Sequence, residues 1–120
     1  MSEIPVPLIN YVHLIKERRS PYYDIVWHVM REMEMHYTSR GQGAEAVYTI
    51  NPRVLQEQIE KKTRDERLTT VNVCRTILAL LYGAQLNEEK DFFVTTTSSG
   101  RRNYHIKVSH RTLNSMSKLL

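Results

Sequence analysis

The sequence predicts an α+β fold in a single unit of 120 residues. Three observations lead there. Ser20-Pro21 and Asn51-Pro52 each place a capping side chain before a proline suited to the first helical position. The residues Val73, Ile77, Leu80, Leu81 and Ala84 recur at helical spacing. Two β-rich runs flank Ser98-Ser99-Gly100-Arg101, a hairpin signal.

Taken in chain order, Pro7 to Arg19 carries Leu8, Ile9, Val12 and Ile15 at helical spacing and ends in cations, which suit the partial negative charge of a helix C-terminus. This predicts a short amphipathic helix. After Ser20-Pro21, Tyr22, Val26, Val29, Met33 and Tyr37 form the buried stripe of a longer helix that Gly41 and Gly43 terminate. Ala46 to Ile50 is β-branched and aromatic and reads as a short strand. The helix opened by Asn51-Pro52 buries Val54, Leu55 and Ile59 and runs to about Lys62. A wholly polar turn over 61–67 follows. Thr69 or Thr70 then caps the helix of the Val73–Ala84 stripe, with Gly83 near its end.

The hairpin pairs Asp91–Thr97 with Asn103–Val108. A two-residue loop at Ser99-Gly100 sets Phe93 against Ile106. The favoured register sets Val94 against Ile106 and Phe92 against Val108, because it buries Phe92, Val94, Tyr104, Ile106 and Val108 together. From His110 to Leu120, the residues Leu113, Met116, Leu119 and Leu120 predict a closing helix. The expected division is an N-terminal helical extension over 1–19, a central unit over 20–108 and a C-terminal helix over 109–120.

Composition narrows the function classes. Hydrophobic residues at 41% and charged residues at 25% suit a globular chain with its own core. No apolar run approaches the roughly 18 residues that span a bilayer, so no membrane partner is expected. No signal peptide is evident, and the single cysteine, Cys74, excludes an internal disulfide; a cytoplasmic location is expected. A formal charge of +4 permits an anionic partner without naming it.

Helix, strand, helix, polar turn, helix, strand, glycine turn, strand: over roughly Ser20 to Val108 this order resembles the winged helix-turn-helix superfamily. The most specific part is Thr70 to Val108. There Ile77-Leu78-Ala79-Leu80-Leu81-Tyr82-Gly83-Ala84 leads to Phe92-Phe93-Val94, then Gly100-Arg101-Arg102-Asn103-Tyr104 and Ile106-Lys107-Val108. The resemblance implies a three-helix core, a short strand and a β-hairpin wing, here with additional terminal helices. It is similar in style to small archaeal or viral regulators and chromatin-associated proteins. It implies double-stranded DNA as the partner, with nucleoid association.

In such a fold the third helix enters the major groove. A helical wheel centred on Val73 and Ile77 puts Asn72, Arg75 and Ala79 on the far side, flanked by Thr76, with Thr70 at the start. Arg suits guanine, Asn suits adenine, and a small Ala79 allows close approach. The same residues would equally serve a solvated helix face, and Val71 and Leu78 make the helix unusually apolar, which favours a protein contact. Arg101 and Arg102 gain little from exposed ion pairing and much from phosphate or a narrow minor groove. Lys107 shares a strand face with His105 and would extend that surface. Lys61, Lys62 and Arg64 at the polar turn are candidate backbone contacts, unless Asp65 and Glu66 neutralise them.

Neither an enzyme, a metal site nor a cofactor is expected. The five histidines lack ligand spacing, and no phosphate loop or nucleophile elbow occurs. Trp27, with Met30, Met33 and Met35, is expected in the core or a dimer interface. The dimer expectation rests on apolar residues left over in Leu8–Ile15 and Leu113–Leu120. The function expected is that of a transcriptional regulator or nucleoid protein; the rival is a winged-helix protein-interaction module in a replication, transcription or viral assembly.

Overall fold

The computed structural model describes residues 4–40, 46–64 and 67–120. Its fold is α+β. Among the described residues, five α-helices surround and flank a three-stranded antiparallel sheet. A short 3-10 turn, Val6–Leu8, leads into α1 (Ile9–Lys16); α2 (Tyr22–Arg40), β1 (Ala46–Ile50), α3 (Pro52–Thr63), α4 (Thr70–Gly83), β2 (Phe92–Thr96), β3 (Arg102–Val108) and α5 (His110–Leu119) follow. The expected stop at Gly41 and Gly43, and the acids Asp65 and Glu66, lie outside the described residues. No described helix is long and apolar enough to cross a membrane.

Local chemistry sets the helix starts. Asn51 Oδ1 accepts from the amides of Arg53 (3.1 Å) and Val54 (3.3 Å), leaving Pro52, which has no amide to satisfy, at the first helical position. Thr69, rather than Thr70, caps α4 by accepting from Asn72 N at 3.2 Å. Ser109 and Thr112 form a reciprocal capping box at α5. At the start of α2 the expectation is corrected. The helix begins at Tyr22, the carbonyl of Pro21 accepts from Ile25 N, and Ser20 Oγ donates to Asp24 Oδ2 at 3.0 Å.

The strand order is β1-β3-β2, with β3 central. The hairpin register corrects the favoured one by two residues: Phe92 faces Ile106 and Val94 faces Tyr104. Gly100 is the reason. It adopts φ +83°, which an L side chain rarely takes, and Gly100 N bonds Thr97 O while Thr97 N bonds Arg101 O. Those bonds pin a three-residue loop at Ser98-Ser99-Gly100. A shift of two preserves strand parity, so Phe92, Tyr104, Ile106 and Val108 are buried on one face as expected, while Val94, expected with them, is only half-buried.

The core forms where α4 meets everything else. α4 packs against α1, α2, α3 and α5, and Val73, Ile77, Leu80 and Leu81 are fully enclosed with Val26, Val29 and Met33 of α2. A Cβ on Gly83 would stand 3.1 Å from Leu119 and 3.6 Å from Val12, so this glycine allows α5 and α1 to close on α4. The terminal helices thus use their apolar faces within the chain: Leu8, Val12, Ile15 and Met116 are buried, and Leu113, Leu119 and Leu120 pack against the core. Two placements are corrected: Val54 is 48% exposed, pointing away from the core, and Ile9 is also exposed. Trp27, expected in the core or a dimer interface, is 47% exposed and is not core. Leu55 and Ile59 suffice to seat α3, while Trp27 lies on the outer side of α2 next to Gln58 and Lys62.

Tyr48, on β1 against the His36 ring at 5.3 Å, gives the fold an alkaline limit. Burial, aided by the Glu32 carboxylate, pushes its hydroxyl up to about 12 from an ordinary 10.0. The folded state favours the neutral phenol. Its contribution is therefore complete below the unfolded value of 10.0 and lost as pH rises through about 12. Urea midpoints should fall less steeply across that window in Tyr48→Phe than in the parent chain; equal slopes would remove Tyr48 from the account.

Candidate nucleic-acid interface

A groove of about 590 Å³ opens where three segments distant in sequence converge. One wall is the start of α3, with Asn51, Pro52 and Arg53. The second is the outward side of α4, with Thr70, Val71, Cys74, Arg75 and Leu78. The third is the hairpin tip, with Gly100, Arg101 and Arg102. Four guanidiniums therefore border one opening, and among the described residues no Asp or Glu lines it.

Each wall has a local cause. The Asn51 cap fixes Arg53 in the first turn of α3, where the helix dipole disfavours a cation. Its Nε stands 3.5 Å from Glu57 Oε1, an exposed i,i+4 pair of small energetic value. The loop pinned by Gly100 turns Arg101 outward. Arg102 shares strand parity with Tyr104 and Ile106, so it points from the end of the core face toward α4. Tyr104 lies beneath it, fully buried, and its hydroxyl has no hydrogen-bond partner although Cys74 and Arg102 stand beside it. Burial holds that phenol far above its ordinary range, reinforced by Cys74 and opposed by the Arg102 charge.

The expected base-reading residues of α4 divide sharply. Thr70 and Arg75 are exposed and line the groove; Thr76 and Ala79 are fully buried and are corrected. Thr76 Oγ1 donates to Asn72 O at 2.7 Å, inside its own helix. Asn72 is half-buried and held at both ends of its amide: Oδ1 accepts from Tyr11 Oη at 2.8 Å, and Nδ2 donates to Arg67 O at 3.2 Å. The wheel assumed a helix packed on one side, whereas α1 covers the side on which Asn72 and Ala79 were expected to face solvent.

The remaining candidates lie elsewhere. Lys61, Lys62 and Arg64 are exposed at the opposite end of α3, about 14 Å along the helix from Arg53 at ~1.5 Å per residue. Lys107 shares the outer sheet face with His105, not the groove. There His105 stacks on Phe93 at 4.6 Å and bonds Thr49 (3.0 Å) and Thr95 (2.7 Å) through its two ring nitrogens. Arg53 and Cys74 line the groove without having been anticipated as contacts, whereas Val71 and Leu78 were anticipated as contacts to protein. A cation in the first turn of a helix, against the dipole, was the available sign for Arg53. No cluster of three His, Cys, Asp or Glu residues able to hold a metal occurs among the described residues.

Comparison with family models, curated proteins and solved structures returns no match. Ala79→Arg should unfold or severely destabilise the chain, by several kcal/mol, because it buries a charge in a filled core. Asn72→Ala should cost about 1 kcal/mol in denaturant unfolding through loss of the Tyr11 bond. A stable Ala79→Arg protein would contradict the packing described for α4.

Proposed function

We propose that this chain is a winged-helix protein that binds double-stranded DNA, acting as a transcriptional regulator or nucleoid-associated protein. The order α2, β1, α3, α4, β2, β3 with sheet order β1-β3-β2 supports the winged-helix reading, with α4 as the third helix and the β2–β3 hairpin as the wing. The observation that carries the DNA reading is the convergence of Arg53, Arg75, Arg101 and Arg102 on one groove without a lining carboxylate. Like charges gathered at one place repel; a polyanion turns that repulsion into attraction and releases its own counterions.

In this reading α4 seats in the major groove with Arg75 at the base edges. Arg53, at a capped helix start, and the hairpin arginines engage phosphates on either side. The Lys61–Arg64 cluster lies at the far end of α3 and makes no contribution. A homodimer on a two-fold site would need a surface other than the terminal helices, and α2 offers the exposed Trp27 and Met35. The protein-interaction reading has one observation in its favour, the exposed Val71 beside Leu78 on α4.

Fluorescence titration of a random-sequence duplex at several salt concentrations tests the proposal. Affinity should fall steeply with salt, and Arg101→Ala/Arg102→Ala should flatten the log–log slope by about two units. Lys61→Ala/Lys62→Ala should leave the slope unchanged. An absence of binding at low salt would favour the protein partner.

A further inference from the structure

The outward strip of α4 is chemically unlike the rest of its groove. Val71, Cys74, Arg75 and Leu78 succeed one another at i, i+3, i+4 and i+7 and so share one side of the helix. Val71 is 57% exposed, Arg75 is exposed, and Cys74 and Leu78 are half-buried. Of these four, only Arg75 is a strong hydrogen-bonding group.

The amide side chains nearby are already engaged by the fold. Asn51 caps α3, and Asn72 is tied to Tyr11 and Arg67. Gln56 Nε2 donates to Leu68 O at 3.2 Å while its Oε1 accepts from Thr70. With no free amide, the strip lacks the bidentate partner that adenine takes. With no lining carboxylate, it lacks an acceptor for the amino group of cytosine. Two major-groove features remain that it can satisfy: the acceptor pair of guanine, through Arg75, and the C5-methyl group of thymine, through Val71 and Leu78.

We propose that α4 reads 5-methylpyrimidines, with Val71 and Leu78 packing on thymine methyl groups on either side of a guanine held by Arg75. This rests on the DNA-binding reading of the same groove. Val71 and Leu78 are about 10.5 Å apart along the helix, a span of about three base pairs at ~3.4 Å each. The preferred core is therefore short and thymine-bearing at both ends. Placing the amino group of adenine or cytosine, or the N7 and O6 acceptors of guanine, against either apolar side chain leaves that group unpaired, which selects against the other bases.

Duplexes of repeating d(TG)·d(CA) and of its uracil counterpart d(UG)·d(CA) present the same hydrogen-bonding edges, guanine included, and differ by the C5-methyl group. A buried methyl is worth about a factor of four in affinity, so one or two contacts should make the thymine duplex about four- to sixteenfold the tighter ligand in anisotropy titrations at fixed salt. Val71→Asn, at an exposed position, should shrink that ratio while leaving the salt slope and the thermal unfolding midpoint unchanged. Equal, salt-sensitive binding of both duplexes overturns the inference and leaves the DNA reading intact. A ratio that persists unchanged in Val71→Asn assigns the discrimination to duplex shape and also overturns it. If neither duplex binds at low salt, the DNA reading itself fails.

Discussion

Everything in this fold depends on how α4 is enclosed. A helix that packs on one side can present its opposite side freely. α4 packs against four other helices, and even Thr76 and Ala79 are removed from solvent. Apolar burial of that extent is the main driving force available to a chain of this size. It also dictates the site, because only the strip from Thr70 through Val71 and Arg75 to Leu78 remains for a partner. The same enclosure explains Gly83, where a Cβ would meet Val12 of α1 at ordinary contact distance but would require the Leu119 side chain of α5 to give by a few tenths of an ångström.

The groove is assembled by restraints that act locally and converge in space. The Asn51 cap fixes Arg53, the positive φ of Gly100 sets the loop that carries Arg101, and strand parity directs Arg102 toward α4. None of these restraints depends on a ligand, so the backbone positions that carry the guanidiniums are set in the free chain. Such preorganisation lowers the entropic cost of association. The buried Tyr104 hydroxyl beside Cys74 and Arg102 adds an unsatisfied polar group beneath the same opening.

Features encoded within a few residues were legible in the sequence. The Asn51-Pro52 helix start, the Ala46–Ile50 strand, the Val73–Ala84 stripe and the buried face of the hairpin all follow from short-range stereochemistry. Ser20-Pro21 misled in detail because Ser20 donates to Asp24. The hairpin register was displaced by two residues because a glycine's place within a loop depends on which turn closes, while parity survived because it needs only the alternation of Phe92, Tyr104 and Ile106. Features set by packing between distant segments were not legible. Asn72, Thr76 and Ala79 looked accessible on a wheel that contained no α1, and Trp27 was open between core and dimer interface because only packing decides which side of a helix is covered. Arg101, Arg102, Arg75 and Thr70 were found as site candidates because exposure at a loop tip or helix start is itself local. Arg53 was missed since its importance lies in what stands across the groove from it.

The central claim is that one groove, bounded by α3, α4 and the hairpin, meets DNA. Backbone amide chemical-shift mapping during titration with a short duplex at low salt tests it most directly. The account predicts perturbations that concentrate together at Arg53, Val71, Arg75, Arg101 and Arg102, with Lys61, Lys62 and the outer sheet face around His105 and Lys107 little affected. Perturbations centred on that sheet face, or on Trp27 and Met35 of α2, with the groove amides silent, would contradict it.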